Sequence, residues 1–107
     1  MSLEIILTAI RPTEVYEANI THNLTDMAEA AGIYEVIWRP EECGVKKAED
    51  IISALEKGLH TLKSNREIME GFNPENGWGS YDGFVTFVEE YLAACKENPD
   101  AEISVWR

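Results

Sequence analysis

A chain of 107 residues has room for one hydrophobic core and not for two, and 45% apolar with 27% charged residues is the balance of a globular domain rather than a disordered or fibrous one. Its 20 acidic side chains against 9 basic ones give a formal net charge of −11, which repels phosphate backbones and anionic bilayers and argues against direct nucleic-acid or membrane binding. The charge is uneven: residues 1–44 carry 2 basic and 8 acidic side chains, 45–71 carry 5 and 5, and 72–107 carry 2 and 7.

In chain order, Leu3 to Ile10 is β-branched and aliphatic and predicts a strand buried on most of both faces, stopped by Arg11-Pro12. Its apolar run IILTAI is too short for a signal-peptide core or a membrane span, so the expected location is the cytoplasm. The next segment, ANITHNL, places Asn19, Thr21, His22 and Asn23 at the mouth of a predicted first helix. One capping oxygen is wanted there, from Asn19 or Thr21, and four polar residues exceed that need. The helix follows from Leu24, Met27, Ala28 and Ala31, with Gly32 as a left-handed stop. Ile33, Tyr34, Ile37 and Trp38 repeat the spacing before Arg39-Pro40.

The longest predicted helix covers 45–63, with Val45, Ala48, Ile51, Ile52, Leu55, Leu59 and Leu62 as its apolar stripe; Gly58 inside it implies either close packing or tolerance. Ser64-Asn65-Arg66-Glu67 matches a capping box that would start a short helix ending before Asn73-Pro74. From about Ser80, the stripe Tyr81, Phe84, Val85, Val88, Tyr91, Leu92 and Cys95 defines a last helix, and Ala101 to Trp106 alternates in strand fashion after the Asn98-Pro99-Asp100 turn. The expected fold is a single α+β domain over 1–107, mainly helical. About four helices would pack on a two-stranded antiparallel ribbon made by the N- and C-terminal strands.

Between the last two helices lies NPENGWGS. Asn73 and Asn76-Gly77 are turn formers, but Gly77, Gly79 and Gly83 are not spaced as a dinucleotide fingerprint and no lysine stands by to meet phosphates. Trp78, held between two glycines, has two readings: a plug over the core, or an exposed platform for a partner. No metal-ligand spacing, nucleophile elbow or triad pattern occurs, so no metal or cofactor is expected. Cys43 and Cys95 form no framework, and Cys95 falls on an apolar stripe, as a packed thiol would.

The strings ITHNL with the following Met-Ala-x-x-Ala-Gly-Ile-Tyr, WRPEE, NPENGWGSYDGF and PDAEISV resemble a group of short, uncharacterised proteins of phages, prophages and bacterial genomes. The likeness covers roughly residues 15–106. The resemblance implies an origin in a mobile element and favours a host or phage protein as partner; it carries no activity.

The resulting expectation is a small, acidic, non-enzymatic binding domain. ANITHNL, Trp38-Arg39-Pro40-Glu41-Glu42 and NPENGWGSY would converge at one end, with Asn19, Thr21, His22, Asn23, Glu41, Asn73 and Asn76 as polar contacts and Trp38, Trp78 and Tyr81 as aromatic area. A structural account competes: the same residues bond only to one another as a buried asparagine-histidine network. Two functional alternatives stand beside these. One is an enzyme with His22 as general acid or base, Asn19, Asn23 or Asn76 orienting substrate, and Glu41 or Glu42 nearby; the other is an acidic decoy whose carboxylates gather on one face to mimic nucleic acid. Oligomeric state is left open.

Overall fold

The computed structural model describes residues 1–9 and 14–107. Two strands come first, β1 (Ser2–Thr8) and β2 (Glu14–Thr21), followed by the helices α1 (Thr25–Ala30), α2 (Tyr34–Trp38), α3 (Ile52–Ser64), α4 (Arg66–Glu70) and α5 (Tyr81–Glu97), and β3 (Glu102–Trp106) closes the chain. The strands form an antiparallel sheet in the order β2-β1-β3. β1 and β3 pair as expected, but the sheet is three-stranded and not a ribbon.

The strand missing from the sequence reading is β2. Its alternation is genuine, with Tyr16, Ala18 and Ile20 opposite Leu7, Ile5 and Leu3 on the face that meets the helices. Glu, Ala and Asn are poor strand formers, however, and what fixes the strand is pairing with a neighbour whose Leu3, Ile5 and Leu7 are wholly buried. The segment ANIT is thus the end of a strand rather than a helix entrance. The expected stop at Pro12 lies outside the described residues.

The helical layer covers one face of the sheet. Tyr91 of α5 stacks on Tyr16 of β2 at 6.1 Å between centroids, and rings continue inward through Phe87 and Phe84 to Trp38 and Tyr34. Gly58 of α3 is close-packed: a Cβ there would sit 2.3 Å from Cγ2 of Ile33.

Two helix boundaries differ from expectation. The helix predicted from residue 45 begins only at Ile52, because Lys46–Ala48 runs along β3: Ile103 N–H donates to Lys46 O and Ala48 N–H to Ala101 O, a pairing that outweighs local helix propensity. The Asp50 carboxylate accepts from the Lys47 and Lys46 amides, bonds that hold it below its ordinary range. The capping box at Ser64 does not form, since Ser64 closes α3 and the side chain of Asn65 reaches back to Thr61 O. Ser80 does cap α5, through Gly83 N–H, and Gly32 ends the first helix at φ 78°.

Candidate functional site

The end of β2 and the loop before α5 meet. Thr21 Oγ1 accepts from Asn23 N–H at 3.2 Å, which turns the chain sharply out of the strand, and the Asn23 side-chain amide then donates to Trp78 O at 3.3 Å. The loop is prearranged. Asn73 Oδ1 accepts from Tyr81 N–H at 2.7 Å, Asn76 Oδ1 accepts from Trp78 N–H at 3.0 Å, and Gly77 and Gly79 take φ of 76° and 103°. Gly79 presses on the strand end so closely that a Cβ would lie 2.8 Å from Thr21 Cγ2 and 3.1 Å from Leu24 Cγ. Glycine is needed there twice over, for its backbone angle and for the contact.

The result of this bracing is Trp78 with 72% of its surface exposed, so the core-plug reading does not describe it. The other two expected aromatics are core residues and offer no area to a ligand. Trp38 is 1% exposed because it ends α2 between Tyr34 and Phe84, and its indole N–H is satisfied by His22 Nδ1 at 2.8 Å. Tyr81 opens α5 with its hydroxyl donating to Leu62 O, and the Arg66 guanidinium covers its ring at 5.2 Å.

Trp38 also links the WRPEE segment to this end. Arg107 donates to Trp38 O and pairs with Glu41, whose carboxyl lies below its usual range, first through its own backbone amide and then through Arg107. Arg39 pairs with Glu42 and bonds Tyr34 Oη. Thr21, His22, Asn23, Trp38 and Trp78 are therefore joined directly, Glu41 through Arg107, and Asn73 and Asn76 through the loop itself. Asn19 stands on the outer sheet face opposite Glu4, and its side chain has no bond among the described residues. Asn23, Asn73 and Asn76 are held by backbone groups at exposed positions, which differs from a buried asparagine-histidine network; no polar residue is buried among those described.

The His22 bond decides what the ring can do. With Nδ1 accepting from Trp38, the neutral imidazole carries its hydrogen on Nε2, which can donate to a ligand but has no lone pair left to take a proton. The carboxylates do not gather on one face either. Glu4, Glu17 and Glu102 face outward from the open side of the sheet, while Glu89, Glu90 and Glu97 belong to α5 in the layer behind it. Hollows of about 380, 430 and 360 Å³ lie near Tyr34, beside Glu41 and Lys47, and at Lys63 to Ile68, away from Trp78. Among the described residues no three His, Cys, Asp or Glu come together to hold a metal ion, and no helix is long and apolar enough to cross a membrane.

Two exposed features escaped sequence reasoning: the outer edge of β2, with Val15 at 38% exposure, and Trp106 at 64%. The alternation of Tyr16, Ala18 and Ile20 with Glu17 and Asn19 is the signal that could have shown the first. Compared with known protein families, curated proteins and solved structures, the chain matches none.

Proposed function

We propose that the protein is a small, non-enzymatic binding domain that engages a partner protein at the end where β2 terminates, with Trp78 as the anchor. The observation that carries this reading is a large aromatic side chain, 72% exposed, on a loop already fixed by Asn23, Asn73, Asn76 and the Gly79 contact. Tryptophan is the residue type most often found at the centre of binding energy, and a loop ordered before binding loses little entropy when the partner arrives. The sequence resemblance favours a host or phage protein as that partner. The net charge of −11 opposes nucleic acid as the direct ligand.

The test is capture from a bacterial lysate on immobilised wild type, Trp78→Ala and Trp106→Ala, with all three first shown to melt cooperatively. A partner retained by wild type and Trp106→Ala but lost by Trp78→Ala supports the reading. Equal recovery by all three rejects Trp78 as the anchor.

A further inference from the structure

The sheet order β2-β1-β3 leaves β2 with one side unpaired among the described residues. Which backbone groups face that side follows from two bonds. His22 N–H donates to Met1 O, so by the antiparallel alternation Ile20, Ala18 and Tyr16 bond inward to Leu3, Ile5 and Leu7. On the other side of β1, Ile103 N–H points away to Lys46 O, which makes Ile103 and Leu7 a non-bonded pair and again leaves Leu7 to Tyr16. The N–H and C=O groups of Glu17 and Asn19 and the N–H of Thr21 therefore point outward along a free edge. β3, by contrast, has its outer side partly covered by Lys46–Ala48.

The two faces beside this edge differ chemically. On the helix side, Tyr16 and Ala18 are only half-buried and continue the apolar row of Ile20. On the open side lie Glu4, Glu14, Glu17 and Glu102; the basic side chain of that face among the described residues is Lys47, opposite Glu102 at the β3 side and away from β2, and none of the six ion pairs among those residues reaches these carboxylates. An added strand would place alternate residues against each face. Those beside Tyr16 and Ala18 must be apolar, and those beside Glu17 and Asn19 basic.

We propose that the free edge of β2 is a strand-addition site for an extended segment of a partner protein in which apolar and basic residues alternate, one end of the segment reaching Trp78 beside Thr21. The proposal rests on the binding reading above and specifies its mode. A second copy of the chain is the wrong occupant, because it would bring two chains of charge −11 together through the same acidic strand. Charge on the edge strand blocks such self-pairing and at the same time selects a cation-bearing partner.

The probe is a synthetic alternating lysine-valine heptapeptide, titrated into the isotopically labelled protein and followed by amide hydrogen exchange. Protection should rise at Glu17, Asn19 and Thr21, whose amides face out, and change little at Ala18 and Ile20, whose amides are already bonded. N-methylating the two peptide amides that face β2 should weaken binding about tenfold or more, since it removes edge hydrogen bonds and keeps the charge. Glu17→Lys should abolish the preference for this peptide over its glutamate-valine counterpart. Equal binding of the methylated peptide, or protection centred on the acids of α5, would overturn the proposal, and so would a stable dimer of the free protein in sedimentation. If the lysate partner depends on Trp78 while the edge amides stay unprotected, strand addition fails and the binding reading stands. If the partner ignores Trp78, the binding reading fails first.

Discussion

Gly77 and Gly79 provide a matched pair of substitutions that isolates the contact between the Trp78 loop and β2. In Gly77→Ala the new methyl meets nothing within 4 Å, so only the φ of 76° is unfavourable. That costs about 1–2 kcal/mol and is offset by about 0.4–1 kcal/mol from the stiffer unfolded chain, leaving roughly 1 kcal/mol. Gly79→Ala has the same kind of backbone penalty at φ 103° and adds a Cβ 2.8 Å from Thr21 Cγ2, with Leu24 Cγ and Cδ1 at 3.1 and 3.2 Å. Thr21 has no easy retreat. Its hydroxyl accepts from Asn23 N–H, so turning the side chain forfeits that bond, and Leu24 is fully packed. Overpacking of this kind costs about 1–3 kcal/mol. Gly79→Ala should therefore be less stable than Gly77→Ala by about 1–3 kcal/mol, a gap of roughly 4–20 °C in Tm for a domain of this size. Urea unfolding followed by far-ultraviolet circular dichroism measures the difference, with equal m-values confirming a common transition. Coincident midpoints for the two variants would show that the loop does not bear on the strand, and the prearrangement of Trp78 would lose its basis.

Trp38→Phe keeps an aromatic ring in the core but removes the donor to His22 Nδ1, and should destabilise by about 2 kcal/mol from the lost bond and the smaller ring; a neutral effect in the same urea assay would refute the bond. Gly58→Ala should destabilise by about 1 kcal/mol, because the collision with buried Ile33 at 2.3 Å outweighs the helix-forming advantage of alanine; a gain in stability would show that α3 is not tightly packed there. Burial pushes the Cys95 thiol up to about 12, whereas Cys43 is exposed, so a disulfide reagent at mildly alkaline pH should titrate one thiol in the folded protein and the second only after unfolding. The Tyr16 phenol is pushed up to about 12, chiefly by burial and then by Glu90, so folding favours its neutral form. That stabilisation is complete below the unfolded value of about 10 and is lost as pH rises towards the folded value. Tyr16→Phe should accordingly flatten the fall of the urea midpoint through that alkaline window, and an unchanged slope would contradict the shift.

What could be read from the sequence, and what could not, divides along physical lines. Periodic apolar residues declared α5, β1 and β3, since a buried stripe must recur with the period of the element that presents it. Gly32 marked a real end because a left-handed glycine is local chemistry. The capping box expected at Ser64 does not form, whereas Ser80, expected only as the start of a stripe, caps α5 through Gly83 N–H. Lys46–Ala48 could not be read, because the Lys46 carbonyl and the Ala48 N–H are engaged by Ile103 and Ala101, more than fifty residues away in sequence. Trp38 lay on the predicted stripe with Ile33 and Ile37, and that position, more than its chemistry, decided that it is core. Trp78 carried no such cue, as a residue between two glycines belongs to no stripe. The polar surplus in ANITHNL is the most informative case. Thr21 holds the Asn23 amide, His22 accepts from Trp38 and Asn23 anchors the Trp78 carbonyl, so three of the four polar side chains have structural partners. Asn19 alone has none among the described residues, and it sits on the strand whose outer amides have no partner among those residues. Whether a strand is central or at an edge depends on what lies beside it, and side-chain identities do not encode that neighbour. A polar residue left over after the caps and turns are assigned therefore marks a place where the fold stops supplying partners and an external chain can supply them.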